Sequence, residues 1–426
     1  MTFPLADASV PTLVARTTQI SYDGELTALV PDDIAPADIV CWVRGGDGLV
    51  GWGRAASITT SGEDRFSAAT QWWDDVAASA VVRTDLELPG TGPVAFGTFT
   101  FSRRSEQSST LVVPEVIVGR RDGRSWVTVI STADRLPGTE PQIRAHATRA
   151  NGELTVTTGA LSRAQWAEAV AESVRRIQHG DLDKVVMARD VVVRSATAID
   201  PRRLLGRLAE SYSNTWTFAV DGMVGATPEM LLRREKGLVT SRVLAGTIRR
   251  TGDDDHDLGL AAGLARSSKD LEEHEYAVRS VAEALRPHCS SMNLPESPFV
   301  LHLPNVMHLA TDVTAVLRDG VSSLGLAAAL HPSAAVCGTP TDMAAEVIHE
   351  LEQMDRGRYA GPVGWLDAEG DGEWGIALRS GMLDDEDPCA IRVFAGCGIV
   401  AGSVPEAELT ESDAKLLPMR QALGND

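Results

Sequence analysis

No stretch of the 426-residue chain approaches about 18 uninterrupted apolar residues, so no membrane-spanning helix is expected. Cysteine is scarce and unpatterned. Cys41, Cys289, Cys337, Cys389 and Cys397 form no CxxC pair and no even set, which excludes a disulfide framework and points to a reducing cytoplasm. Cys397 lies in a Gly-rich turn with no histidine near it in sequence, which favours a small packed residue over a nucleophile. The opening run MTFPLADASVPTLVAR has neither a basic stretch nor a long apolar segment, so no secretory leader is expected. Basic charge is also short: 39 Lys and Arg against 59 Asp and Glu give a net charge of −20. That argues against nucleic acid and anionic membrane as partners. A small anion remains a suitable substrate if a metal or local basic groups offset the field. Repeats and low-complexity tracts are absent.

What is present suits a large core, since 43% of residues are hydrophobic. Residues 1–150 read as a β-rich, Gly- and Pro-punctuated part, with DIVCWVRGGDGLVGWGRA and GPVAFGTFTF alternating like strands around turns. Pro137-Gly138-Thr139-Glu140-Pro141 marks a loop. Residues 151–426 change character. Ser162 caps an expected helix with Trp166, Val170, Val174 and Ile177 on one face and Gly180 at its end. Lys184–Arg194 reads as a strand, Asp200-Pro201 opens a helix, and Gly225–Leu232 and Leu238–Leu244 read as strands. Helices are expected from Ser268 to about Arg286, from Thr341 to about Glu352, and after Pro405. Strands are often followed by strands, so the expected class is α+β with large, mostly antiparallel sheets.

Several segments place charge beside turn glycines. Glu408 and Glu411 are three residues apart behind a Gly-rich strand end, and Lys415 follows four residues later on the same helix face. Asp270 and Glu273 repeat the spacing near another helix start. Each pair alone reads as a solvated face. Two facing pairs could hold a cation, and all-oxygen donors favour Mg²⁺ over zinc. Glu229 in GATPEMLL is either a solvated turn carboxylate or a desolvated acid able to donate a proton. Lys184 alone reads as a snorkelling lysine at a strand entrance. Gly246 and Thr247 in LAGTIRR suit close approach to an anion, or a plain turn. Alternation in EWGIALRS puts Arg379 on a face with Gly375 and Ala377, leaving room for a ligand carboxylate; an ordinary ion pair is the alternative. Tyr359, one of four tyrosines, reads as packing, and His308 as a half-buried strand residue with a possible role beside a reacting hydroxyl.

In order, KVVMAR, GATPEML, LAGTIRR, SKDLEEHEYAV, MHLAT, LHPSAAVCGTP, ELEQMDRGRYAGPVGWLD, GDGEWGIALRS and AGCGIVAGSVPEAELTESDAKL resemble the chorismate-utilising enzymes over roughly 161–420. The resemblance implies an anthranilate-synthase-like single domain of two packed sheets with helices outside, residues 1–150 being its variable part and 151–426 its chorismate-binding region. Lys184 fits activation of water, and Ala245 stands where the aminodeoxychorismate branch has lysine. LHPSAAVCG is similar to the isochorismate synthases. The resemblance therefore implies Mg²⁺-dependent conversion of chorismate to isochorismate, for menaquinone or siderophore synthesis. Lys184 would be the base and Glu229 the acid. Glu273 and Glu411 would hold the metal, with Asp270 and Glu408 behind them through waters. Gly246, Thr247, Gly398 and His308 would line the ring, and Tyr359 and Arg379 would grip the pyruvyl carboxylate. A cytoplasmic monomer with no glutamine amidotransferase subunit is implied. Salicylate synthase and a non-catalytic chorismate-binding relative are the competing expectations.

Overall fold

Ser162 Oγ accepts from the Gln165 amide while the Gln165 side chain accepts from the Ser162 amide, and this capping box starts the helix Arg163–His179. Gly180, at φ 91°, ends it in the left-handed conformation that glycine adopts without strain. Asp200 and Pro201 open Pro201–Ser211, and further helices cover Ser268–Leu285, Thr341–Leu351 and Pro405–Leu423. These match the expected starts. The computed structural model describes residues 10–134, 141–302, 306–318 and 320–424. Residues 137–140 of the expected loop Pro137–Pro141, and the side chains of Lys269 and Glu273, lie outside the described residues.

Among the described residues, strands gather into one sheet of thirteen and one of ten. Every pairing is antiparallel except Leu13–Ile20 with Val81–Arg83. The early part of the chain is woven into both sheets. Ile39–Arg44 pairs with Trp216–Val220 in the larger, and Val94–Thr98 pairs with Pro362–Asp367 in the smaller. The main core holds Trp42, Met187 and Phe218 from the larger sheet against Phe96, Leu232 and Trp374 from the smaller. Two sheets thus pack face to face over one apolar layer, with helices outside, as the family resemblance implied, and their antiparallel pairing is what the strand-after-strand pattern implied.

Three places depart from the expected strands, and the first two shape the site. Gly225–Leu232 is two strands, Met223–Thr227 in the larger sheet and Met230–Glu235 in the smaller. Pro228, which has no N–H for a ladder, and Glu229 carry the chain between sheets. The alternation in EWGIALRS stops at Ile376, and Ala377-Leu378-Arg379 carry the chain back to Ser380–Leu383. Arg379 takes a left-handed φ of 49°, so it shares no strand face with Gly375 and Ala377. The crossings are adjacent, because Gly225 pairs with Ser380 and Met230 with Gly375. The strand begun at Leu238 runs on to Arg249, interrupted by a bulge at Gly246. A helix at Asp254–Leu264, which its weak apolar stripe did not announce, is capped by Asp253.

Candidate active site

A cavity of about 160 Å³ opens where the two crossings meet, bounded by Lys184, Glu229, Gly246, Thr247, His308, Tyr359, Arg379 and Gly398. Lys184 is the first residue of the strand Lys184–Ser195 and is 7% exposed, so its stem is packed rather than snorkelling. Its strand pairs Val186 with Gly398 and Ala188 with Gly396, which keeps that wall of the cavity free of side chains. Glu229 lies in the crossing, buried. Burial pushes its carboxyl up to about 8, against the opposing charges of Lys184, Arg379 and Lys415. It is therefore an acid that keeps its proton at neutral pH.

Thr247 and His308 face each other across the smaller sheet, with Thr247 Oγ1 and His308 Nδ1 3.0 Å apart. His308 is buried, not half-buried. Burial, then the charges of Arg379 and Lys415, lower its pKa to about 3, so the imidazole is neutral. Its Nε2 has no hydrogen-bond partner among the described residues, which leaves it for a ligand. The bulge puts Gly246 at φ 76°, and a Cβ there would lie 3.1 Å from the Asp270 Cβ. Tyr359 stacks on Phe394 at 5.0 Å between ring centres, and burial raises its phenol to about 12. Burial lowers the Arg379 pKa, while Tyr359 and Glu411 oppose that shift.

The helix Pro405–Leu423 brings Glu408 and Glu411 to the same cavity, and Asp270 reaches it from Ser268–Leu285. Donor atoms of Glu408, Glu411 and Cys397 lie within 4.8 Å of one another. Burial would raise the Glu411 pKa, but Lys415 and Arg379 outweigh it and keep the carboxylate ionised. Lys415 Nζ lies 2.5 Å from Glu411 and donates to the Gly396 carbonyl at 2.9 Å. Burial works against its ammonium, yet Cys397 and Glu411 hold its pKa above the ordinary lysine value. The close carboxylates Glu408 and Glu411, with Asp270 on the same cavity wall, are hard oxygen donors of the kind a divalent cation takes. Cys397 sits within the strand Ala390–Ile399, not in a turn. Burial raises its thiol and Sγ donates to the Glu408 carbonyl, which makes it a packed thiol rather than a nucleophile or a thiolate ligand.

The candidate catalytic, substrate-binding and metal residues named from the sequence line this one cavity, except Glu273, whose side chain lies outside the described residues. Sequence reasoning missed Arg356 and the depth at which Lys415 is buried. One signal was available: lysine occurs only four times in the chain, so two in one cavity is notable. A larger cleft of about 1360 Å³ lies beyond Arg356, but of the acid, amine and carboxylate set none lines it.

A family model described as chorismate binding enzyme matches residues 43–424. Isochorismate synthase DhbC of Bacillus subtilis (strain 168) is 41% identical over 269 residues, 60% of this chain and 67% of that protein. Isochorismate synthase MenF of the same organism is 30% identical over 406 residues, 89% of this chain and 86% of the relative. A crystal structure from Bacillus anthracis, assigned as the 2,3-dihydroxybenzoate-specific isochorismate synthase DhbC, superposes with a TM-score of 0.76 at 32% identity. It covers 93% of this chain and 98% of its own.

Proposed function

The chain belongs to the chorismate-binding enzymes, and on that premise we propose that it is an isochorismate synthase feeding menaquinone or siderophore synthesis. The observation that carries this reading is a lysine amine and a protonated carboxylic acid bounding one small cavity that also holds carboxylates, an arginine and a neutral histidine. Lys184 takes a proton from water as the water oxygen bonds to ring carbon 2 of chorismate. Glu229 gives its proton to the hydroxyl leaving carbon 4, which departs as water while the ring double bonds shift. The cycle leaves an ammonium and a carboxylate, and solvent returns the proton. Each transfer contributes on the order of 10²–10⁴-fold.

Arg379 and Tyr359 hold the pyruvyl carboxylate, and Gly246, Thr247, His308 and Gly398 line the ring. Glu411 and Glu273 would hold Mg²⁺, with Asp270 and Glu408 behind them; Glu273 enters on the family resemblance alone. Bound there, Mg²⁺ would neutralise the ring carboxylate of the dianionic substrate. Residues 151–426 carry the site on this reading, and residues 1–150 complete its sheets as the variable part of the same domain. The enzyme works as a cytoplasmic monomer with no glutamine-hydrolysing partner, since its nucleophile is water. Among the described residues no helix is long and apolar enough to cross a membrane.

The test is to incubate the purified protein with chorismate and Mg²⁺ and to identify the product by chromatography. Isochorismate with its pyruvyl group intact is expected. Salicylate with free pyruvate would make it a salicylate synthase, and binding without turnover a non-catalytic relative. Lys184→Ala is expected to abolish turnover in a folded protein.

A further inference from the structure

The strand Lys184–Ser195 has an incomplete edge. On one side Ala390–Ile399 pairs with it from Val185 to Arg194. On the other, Gly338–Thr339 covers Lys184 and Val185, and Leu154–Thr158 covers Val191 to Ser195. Between them the outward peptide groups of Val186 and Ala188 face no neighbouring strand, apart from the Val186 amide, which donates to the Cys337 carbonyl at 2.8 Å. Buried peptide groups need partners, and here side chains supply them. Arg356 Nη2 donates to the Val186 carbonyl at 2.7 Å. Glu352 Oε1 accepts from the Ala188 amide at 2.6 Å. Trp166 Nε1 donates to the Ala188 carbonyl at 2.9 Å.

Glu352 and Arg356 are themselves joined, at 2.8 Å through Nε and 2.5 Å through Nη2, with side chains 0% and 3% exposed. Arg356 Nη1 also donates to the Val336 carbonyl at 3.0 Å, and its guanidinium lies over the Phe101 ring at 4.3 Å. Val336 and Val186 both line the substrate cavity. One guanidinium therefore ties the strand that bears Lys184 to a second cavity wall. A buried ion pair is a poor device for stability alone, because apolar side chains of similar volume often serve as well. Its planar fork is suited to holding two carbonyls and a carboxylate in fixed relation.

We propose that Glu352, Arg356 and Trp166 are positioning residues that stand in for a missing strand and fix Lys184 against the substrate. This rests on the reading of Lys184 as the base. They touch no reacting atom, so their loss acts on the chemical step rather than on substrate capture. A misplacement of about 1 Å can cost on the order of 10²-fold in rate.

The test compares wild type, Arg356→Lys, Trp166→Phe and Lys184→Ala at a temperature well below each melting midpoint. Arg356→Lys keeps the charge but cannot hold both carbonyls and the carboxylate. Its kcat is expected to fall at least tenfold, with KM for chorismate within threefold. Trp166→Phe loses one of the bonds and is expected to lose about threefold in kcat at unchanged KM, and it decides the matter if Arg356→Lys does not fold. Folded variants with kcat within 1.5-fold of wild type would overturn the proposal. So would a tenfold rise in KM at unchanged kcat, which would make Arg356 a substrate contact. A Lys184→Ala protein with near-normal turnover would instead overturn the base assignment itself.

Discussion

Glu229 is the candidate acid because its chemistry departs far from that of a free glutamate. Its carboxyl titrates near 8 because burial disfavours the anion. Activity that needs it protonated should fall as pH rises through about 8, which a kcat/KM profile checks. The same shift bears on stability. Between the ordinary glutamate value of about 4.5 and about 8, the unfolded chain is ionised while the folded site holds its proton, so stability declines as pH rises. Glu229→Gln should therefore abolish turnover yet raise the melting temperature relative to wild type, the gain growing from pH 5 to pH 8. Neither Glu229 nor Lys184 was legible alone, since a turn carboxylate and a strand-end lysine are ordinary. Nine motifs in order made them legible. Arg379 was placed in the cavity for a reason the structure corrects: a left-handed residue at a crossing puts it there, not strand alternation.

At the scale of elements, the site exists because two strands change sheets side by side. Neither crossing was read from the sequence, since Gly225–Leu232 was expected as one strand; pairing partners are long-range and no local pattern announces which sheet a strand joins. The helices were easier to read, because the caps Ser162 and Asp200 and a proline at the first helical position, Pro405, are local chemistry. The bulge at Gly246 links the smaller sheet to the helix carrying Asp270. Gly246→Ala would force a left-handed alanine, costing about 1–2 kcal/mol, and press a Cβ against Asp270. The expected outcome is a lower melting temperature together with a higher Mg²⁺ concentration for half-maximal activity. An unchanged Mg²⁺ titration would separate Asp270 from the cation.

Over the whole molecule, two sheets enclose charge that the surface of a −20 protein could not concentrate. The cavity gathers Arg356, Arg379, Lys184 and Lys415 against its carboxylates. Such burial carries an acid liability. His308 and His331 both titrate near 3, burial being the first cause in each. Their unfolded values near 6.5 mean that protonation favours unfolding as pH falls below that point towards 3. His331→Gln should flatten the loss of melting temperature over that interval. The central claim is that a water activated by Lys184 becomes the new ring hydroxyl. Turnover of chorismate in ¹⁸O-water with mass analysis of the early product tests it most directly. The account expects isochorismate carrying one ¹⁸O at carbon 2. Isochorismate free of label, its hydroxyl having moved within the substrate, would contradict it.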